Sequence, residues 1–205
     1  MNSEELLIIF TRNPELGKCK TRLAATIGDQ AALDIYKFLL DHTVKITTPL
    51  SCDKQVHYSV AVRDNDRWDP KVFEKYQQSG EDLGARMSLA FDQGFQAGYQ
   101  RIIIIGSDMY DLSQSDIEAA FEHLKTSDYV VGPALDGGYY LLGMNIRTPE
   151  LFVGKDWGTD SVLKDTLADL KNRSNTLLDQ RNDVDLYEDI QGIEAFTPFI
   201  KHLNL

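Results

Sequence analysis

Four consecutive isoleucines, Ile102 to Ile105, constrain the fold of this chain more than any other feature of its sequence. β-Branched residues favour strands, and a short continuous apolar run indicates a strand that is buried on both faces. Gly98 and Gly106 flank this run, so the strand is short and is followed by a loop. We expect it to lie at the centre of a sheet with helices on both faces.

Strand-like and helical patterns alternate along the rest of the chain, which is typical of a mostly parallel, doubly wound sheet with right-handed crossovers. The segments on either side of Asp136-Gly137-Gly138 predict one antiparallel pair. The predicted strands are 6–10, 56–62, 74–78, 101–105, 129–133, 139–143 and a short one near 177. The predicted helices are 20–42 with a break at 28–29, 82–97, one from a Ser115/Glu118 capping box to 124, 161–170 and 193–203.

Length and composition limit the classes of protein that this chain can belong to. At 205 residues it fits one domain, which we expect to span 1–205 as a Rossmann-like three-layer α/β/α sandwich with a mixed sheet. No apolar run approaches the roughly 20 residues that cross a membrane, and no signal peptide is evident, so we expect a cytoplasmic protein. The net charge of −11 argues against a nucleic-acid partner or an anionic membrane surface. Two cysteines and four dispersed histidines argue against a disulfide framework and a zinc site.

A cluster of cations follows the first predicted strand. Arg12, Lys18, Lys20 and Arg22 lie within eleven residues that contain one acid, Glu15, although the chain as a whole is acidic. Because the loop leads into a helix, backbone N–H groups and these cations together would suit a pyrophosphate. The loop lacks the glycines of a Walker A or GxGxxG motif, and a solvated basic loop is the alternative.

A carboxylate, Asp108, directly follows the predicted central strand. A carboxylate at the end of a buried strand requires compensation, and a divalent cation that bridges phosphates can supply it, so we predict that Asp108 binds a metal. The alternative is that Asp108 caps the next helix, since Asp111 and Ser113 make this stretch rich in capping residues.

Three further segments carry candidate site residues. The Asp136-Gly137-Gly138 stretch is either an ordinary hairpin turn or a point where the backbone approaches a ligand, with Asp136 facing it. Gln77 or Gln78 are candidates for base recognition, and Arg86 is placed to reach a phosphate. The acidic run 183–185 is either a source of a second metal ligand or an N-cap.

Taken in order, these segments match the motifs RxPxxGxxKTRL, QxxGDLGxRM, GSDxPxL, GPAxDGGYYLxG, WxT and DVDxxEDL between Arg12 and Ile190. As a set they resemble a bacterial family of GT-A-like nucleotide-diphospho-sugar transferases, some of which are described as arsenosugar-biosynthesis glycosyltransferases. More distantly the chain resembles the phospholactate and molybdopterin guanylyltransferases. The resemblance covers most of the chain, and the ordered set is specific although each motif alone is weak.

The resemblance implies a GT-A-like fold, a Mg²⁺ or Mn²⁺ cofactor at Asp108 and a nucleotide diphosphate sugar as donor. It places the nucleotide on one set of residues and the acceptor on another. The nucleotide side is Arg12, Gly17, Lys20, Arg22, Gln78, Gly80 and Arg86, and the acceptor side is Asp136, Gly137, Trp157 and Thr159.

The chain departs from the family pattern at two places. Tyr110 stands where the family has proline after SDx, and the QxxGDLG motif is one residue longer here. The sequence therefore predicts a metal-dependent glycosyltransferase with Asp108 and Asp136 as catalytic residues and an unnamed small-molecule acceptor. Nucleotidyl transfer from a nucleoside triphosphate with release of pyrophosphate is the second reading, and nucleotide binding without catalysis is the third.

Overall fold

The computed structural model describes residues 3–201 and Leu203. In this part of the chain a seven-stranded sheet is covered by helices on both faces. Its strands are β1 (Glu5–Thr11), β2 (Asp53–Tyr58), β3 (Glu74–Gln77), β4 (Arg101–Gly106), β5 (Tyr129–Pro133), β6 (Tyr139–Met144) and β7 (Asn175–Leu177). Its helices are α1 (Thr21–Ile27), α2 (Asp29–Thr47), α3 (Leu83–Gln96), α4 (Gln114–His123), α5 (Val162–Asp169) and α6 (Thr197–Ile200).

The strand order is β3-β2-β1-β4-β6-β5-β7, so the isoleucine strand β4 lies at the centre as expected. β6 is antiparallel to both of its neighbours, and the other pairs are parallel. Side chains alternate across β4: Ile103 and Ile105 face one core, and Ile102 and Ile104 face the other. The predicted α/β fold with a mostly parallel, mixed sheet is confirmed.

Each face of the sheet has its own hydrophobic core. α2 and α4 cover one face, and α3 with the 3-10 helix Pro149–Phe152 covers the other. A third cluster lies outside the sheet, where α1 and the outer side of α2 pack against the C-terminal segment through Val184, Ile190 and Phe196. None of the described helices is long and apolar enough to cross a membrane.

The predicted bounds of the strand at 56–62 were wrong by three residues at the start and four at the end. β2 begins at Asp53 and stops at Tyr58 because the Asn13 side chain binds the backbone that follows. Its Oδ1 accepts hydrogen bonds from the Val60 and Ala61 amides at 3.1 and 3.2 Å, and its Nδ2 donates to the Ala61 carbonyl at 2.8 Å. These bonds hold the backbone in a loop beside the end of β1.

Three helix predictions also need correction. The helix predicted to end at 42 continues to Thr47 in α2. α4 begins two residues earlier than predicted, because the capping box is formed by Ser113 and Asp116 rather than by Ser115 and Glu118. The helix predicted at 193–203 is a 3-10 helix, Glu194–Phe196, followed by the single turn of α6, with residue 202 outside the described part. Pro198 explains the break, since it lacks the amide that a continuous helix would use.

Candidate active site

The carboxyl ends of the parallel strands meet along one edge of the sheet. The loops after β1, β3, β4, β5 and β7 lie there, and antiparallel β6 brings its first residues to the same edge. In open α/β sheets ligands bind outside this edge, near the point where the strand order reverses direction. A cleft between these loops is the candidate active site.

This cleft has two halves of different chemistry that meet at Asp108, which lines both. The cationic half is lined by residues that include Arg12, Lys20, Arg22, Gln78 and Arg86. The apolar half is lined by residues that include Leu83, Met87, Met109, Tyr139, Trp157 and Val162. The sequence-predicted nucleotide side and acceptor side therefore fall into separate halves.

Lys20 joins the β1 loop to the Asp108 carboxylate. Its Nζ lies 2.8 Å from Asp108 Oδ2, and only 7% of the lysine side chain is exposed against 37% of the aspartate side chain. Among the described residues, Lys20 is the only non-glycine residue with a positive φ, at 49°. This left-handed conformation costs about 1–2 kcal/mol for a residue with a Cβ, so the surrounding contacts must hold it in place.

The charge of Lys20 is stabilised where it lies. Burial by itself would lower the pKa of this lysine, but the charge and hydrogen bond of Asp108, together with the charges of Asp183 and Asp185, raise the pKa above its usual value. The lysine therefore stays cationic at the junction of the two halves. An anionic ligand in the cationic half would meet a fixed positive charge at this position.

Buried hydroxyl groups hold the ends of β1 and β4 together beneath the cleft. The Tyr36 hydroxyl accepts from the Arg12 amide at 2.9 Å and donates to the Arg12 carbonyl at 3.0 Å. Ser107 Oγ donates to Thr11 Oγ1 at 3.1 Å, and burial raises the pKa of Tyr36. Tyr36 was not among the predicted site residues, although a buried tyrosine hydroxyl requires a hydrogen-bond partner and could have indicated this role.

Arg12 and Arg22 have exposed guanidinium groups above these buried hydroxyl groups. Arg12 Nη1 donates to the Lys18 carbonyl at 3.0 Å, which folds the loop back over itself. Arg22 Nη1 lies 2.7 Å from Asp185 Oδ2, and 65% of the arginine side chain remains exposed. Such an exposed pair contributes little to stability, so a ligand phosphate can replace Asp185 at small cost.

Gln78 and Arg86 also line the cationic half. Gln78 Nε2 donates to the His57 carbonyl at 2.9 Å, and its Oε1 lies 3.5 Å from Arg86 Nη1. Arg86 Nε also donates to the Gly80 carbonyl at 3.1 Å. Gln77 instead points away and donates to Val60, so of the two glutamines only Gln78 lines the cleft.

Three carboxylates line the apolar half: Asp108, Asp136 and Asp183. Burial raises the pKa of Asp183 to about 6, and the negative charges of Asp108 and Asp136 add to this effect. The Val184 amide points to the Asp108 carbonyl at 3.4 Å, which seats the acidic segment beside the end of β4. Asp136 Oδ1 accepts from the Gly138 amide at 2.9 Å, so the hairpin turn itself orients this carboxylate.

The acidic segment 183–185 does not act as the predicted N-cap. Asp189 Oδ2 instead accepts from the Asp185 and Leu186 amides at 2.9 and 2.6 Å. Asp183 and Asp108 both line the apolar half, and Asp185 pairs with Arg22. Both carboxylates thus remain available to the site.

Within residues 3–201 and 203, no group of three or more His, Cys, Asp or Glu side chains is arranged to hold a metal ion. Mg²⁺ usually takes only one or two protein carboxylates and completes its coordination with phosphate oxygens and water. Burial raises the pKa of Asp183 and the negative charges of Asp108 and Asp136 raise it further, so a divalent cation at this position would stabilise the ionised carboxylate. The donor chemistry fits Mg²⁺ or Mn²⁺ that arrives with a phosphate-bearing ligand.

A family profile described as an uncharacterized protein conserved in bacteria (DUF2064) matches residues 43–159. The chain belongs to this family. The matched region contains α3, the Asp108 loop, the Asp136 hairpin and Trp157, and therefore most of the residues that line the cleft. A sequence comparison of this DUF2064 protein with curated proteins finds no match.

Solved structures with this fold are transferases in several cases. A protein from Desulfovibrio desulfuricans G20, provisionally described as a nucleotide-diphospho-sugar transferase, is 27% identical, with a TM-score of 0.85 over 98% of this chain and 95% of the other. A cytidylyltransferase from Leptospira borgpetersenii is 10% identical, with a TM-score of 0.59 over 98% and 94%. Rv0371c from Mycobacterium tuberculosis H37Rv, solved in complex with manganese, is 12% identical, with a TM-score of 0.58 over 97% and 99%. The first similarity confirms the nucleotide-sugar-transferase-like fold, and the other two support the fold alone.

Three predicted site residues of this DUF2064 protein shape the backbone instead of lining the cleft. Gly17 is exposed and has a φ of 71°, a backbone conformation that favours glycine. A Cβ on Gly80 would lie only 2.8 Å from the Arg86 amide nitrogen, so the close packing of the backbone there requires glycine. A Cβ on Gly137 would lie 2.4 Å from the Asp160 carbonyl oxygen, so this glycine lets the hairpin pack against the start of α5. The structure brings the remaining predicted residues to the cleft, which are Arg12, Lys20, Arg22, Gln78, Arg86, Asp108, Asp136, Trp157 and Thr159.

Proposed function

We propose that this protein is a metal-dependent glycosyltransferase that takes a nucleotide diphosphate sugar as donor. The observation that carries the proposal is the division of one cleft into a cationic half and an apolar half, with Asp108 between them. A donor whose diphosphate lies in the cationic half places its sugar beside Asp108. The acceptor then approaches from the apolar half.

The cationic side chains stabilise the departing nucleoside diphosphate. Arg12, Lys20, Arg22 and Arg86 all line this half of the cleft. Preorganised charges of this kind lower the barrier because they oppose the negative charge that develops on the leaving group. Lys20 is already fixed by burial and by Asp108, so it needs little reorganisation during the reaction.

Asp108 and one carboxylate of segment 183–185 would hold Mg²⁺ or Mn²⁺. When bound, the ion would supply further positive charge to the diphosphate oxygens. Asp183 lines the same half of the cleft as Asp108, whereas Asp185 must first release Arg22. The D183N and D185N variants, compared for Mn²⁺-dependent nucleotide binding, identify which of the two serves.

Asp136 takes the role of base on the acceptor side. The Gly138 amide fixes its carboxylate at the rim of the apolar half, where it is exposed to solvent. An ionised carboxylate in this position removes the proton from an acceptor hydroxyl as the glycosidic bond forms. Trp157 and Thr159 enclose the same side of the cleft.

The test is nucleotide binding and turnover in the Asp108→Asn variant. We expect this variant to lose metal-dependent binding of nucleotide diphosphate sugars and to lose turnover by at least about a hundredfold, a typical effect of removing one electrostatic contact in an active site. Glu118→Gln on α4 is the matched control, since Glu118 is exposed and does not line the cleft. Retention of both properties in Asp108→Asn refutes the metal assignment.

Nucleotidyl transfer is the second candidate. The similarity in fold to a cytidylyltransferase favours it, and the same cationic residues would stabilise a departing pyrophosphate. Product analysis separates the two reactions, because glycosyl transfer releases a nucleoside diphosphate and nucleotidyl transfer releases pyrophosphate.

Nucleotide binding without catalysis is tested by the same assay. Tyr110, the residue that departs from the family pattern, packs its ring 4.9 Å from that of Phe196 and 5.8 Å from that of Phe38. These contacts anchor the loop after Asp108 in place of the proline. Multiple turnovers that stop when a chelator is added exclude the non-catalytic reading.

A further inference from the structure

The apolar half encloses a cavity of about 220 Å³. An engineered cavity of about 150 Å³ in another protein accepts benzene, so this space is large enough for one aromatic ring. Trp157 forms part of the wall and packs against α3, where a Cβ on Gly84 would come within 2.3 Å of the indole Nε1. The Phe152 ring stacks behind the indole at 6.4 Å and holds its plane.

Tyr139 places a weakly paired hydroxyl at the wall of this cavity. Its oxygen lies 3.8 Å from the Met87 sulfur, and burial raises the pKa of the phenol. A thioether is a poor hydrogen-bond acceptor, so the hydroxyl retains the capacity to bind an uncharged polar group of a ligand. The cavity lining thus combines apolar side chains with a neutral hydroxyl donor from Tyr139.

The charged side chains that line the cavity are all negative. Its lining contains three carboxylates, those of Asp108, Asp136 and Asp183, and within the described residues it contains no Lys, Arg or His. Lys20 lies on the far side of Asp108, to which it is paired. Arg181, behind Tyr140, is 2.8 Å from Asp116 and is therefore also neutralised.

We infer that the apolar half receives an acceptor with a ring-sized apolar body and a neutral or cationic polar group, and that it rejects acceptors that carry phosphate. This inference rests on the proposed function and specifies its acceptor. A bound divalent ion together with Lys20 balances the three carboxylates and leaves no positive charge over for an anionic acceptor. The anion-binding groups all lie in the other half of the cleft.

The test uses three probes that share a benzyl group and differ in charge: benzylamine, benzyl alcohol and benzyl phosphate. Binding is measured by saturation-transfer NMR and by quenching of tryptophan fluorescence on the full chain, with Mg²⁺ and a saturating nucleoside diphosphate. Only Trp157 and Trp68 emit, and Trp68 is buried with 2% exposure, so a quenched signal reports Trp157. We expect benzylamine and benzyl alcohol to bind at least about tenfold more tightly than benzyl phosphate, as expected for an anion close to several carboxylates.

The Gly84→Ala variant tests the location of the bound probe. Its new methyl group must displace the Trp157 indole, so we expect the fluorescence quenching and the NMR transfer to be lost. Leu89→Ala is the control on the same helix, because Leu89 is exposed and does not line the cavity. Equal binding of the probes to Gly84→Ala and to Leu89→Ala places them elsewhere and overturns the inference.

The outcomes separate this inference from the proposed function. Titration with nucleoside diphosphates by calorimetry tests the cationic half, and failure of every nucleotide to bind refutes the proposed function, whatever the probes do. Nucleotide binding together with equal or tighter binding of benzyl phosphate overturns the inference alone. Failure of all three probes to bind overturns it as well, because the cavity would then not accept a ring.

Discussion

The left-handed conformation of Lys20 leads to a prediction about two substitutions at one position. Alanine and glycine both remove the ammonium group that pairs with Asp108, so they lose the same ion pair. They differ in backbone strain, since alanine retains a Cβ at φ of 49° and glycine does not. A comparison of Lys20→Ala with Lys20→Gly therefore isolates the free energy of the strained backbone.

The expected difference follows from two opposing effects. Removing the Cβ from a left-handed residue relieves about 1–2 kcal/mol of strain. Glycine also makes the unfolded chain more flexible, which offsets about 0.4–1 kcal/mol of that relief. We expect Lys20→Gly to be more stable than Lys20→Ala by about 1 kcal/mol, or about 2–4 °C in Tm for a chain of this size.

Urea denaturation followed by circular dichroism, with thermal melts as a second measurement, provides the assay. Both variants should weaken nucleoside diphosphate binding by the same factor, because both lack Nζ. If Lys20→Ala is as stable as Lys20→Gly or more stable, the left-handed backbone at Lys20 is not strained. In that case no strain is needed to hold this lysine beside Asp108.

Three further predictions concern the pH dependence and the packing of the site. Burial lowers the pKa of His57 to about 4. The contribution of the neutral side chain to stability is therefore present above pH 6.5 and is lost as the pH falls towards 4. His57→Gln should reduce this loss of stability, measured by urea denaturation between pH 4 and 7. Burial raises the pKa of Asp183 to about 6, so the protonated side chain stabilises the fold at low pH and this contribution is lost as the pH rises from about 4 to 6. Asp183→Asn should therefore be more stable than the unchanged protein at pH 7 in the absence of metal, as measured by urea denaturation. Tyr110→Ala should lower the free energy of unfolding by about 2–3 kcal/mol, because its ring packs against Phe38 and Phe196, and a loss below about 0.5 kcal/mol in urea denaturation would contradict the anchoring role of the ring.

The sequence was sufficient to predict the sheet and its centre. Apolar runs such as Ile102 to Ile105 carry their own signal, because a strand buried on both faces leaves no polar alternation. The end of β2 was not predictable in the same way. It depends on hydrogen bonds from Asn13, a residue more than forty positions away in the chain, and a pattern along the sequence contains no record of such a contact.

The candidate site shows the same division. Residues that follow strand ends, such as Asp108 and Arg12, were predictable because topology places all parallel strand ends at one edge. The pairing of Lys20 with Asp108 was not, since it depends on the backbone conformation of one residue. Gly80 and Gly137 were assigned to ligand contact, whereas they allow close packing of backbone, and sequence alone does not separate these two uses of glycine.

The two halves of the cleft are carried by separate stretches of the chain. Residues 12–22 and 78–86 supply the cationic side chains of one half, which are Arg12, Lys20, Arg22 and Arg86, and residues 134–140 and 157–162 supply Asp136, Trp157 and Thr159 of the other. Because β6 is antiparallel, a short hairpin between β5 and β6 brings Asp136 to the cleft without a crossover helix. On the proposed assignment of Asp136 to the acceptor side, we expect substitutions or insertions in that hairpin to alter acceptor choice while nucleotide binding stays intact, and chimeras that exchange residues 134–138 between relatives test this expectation.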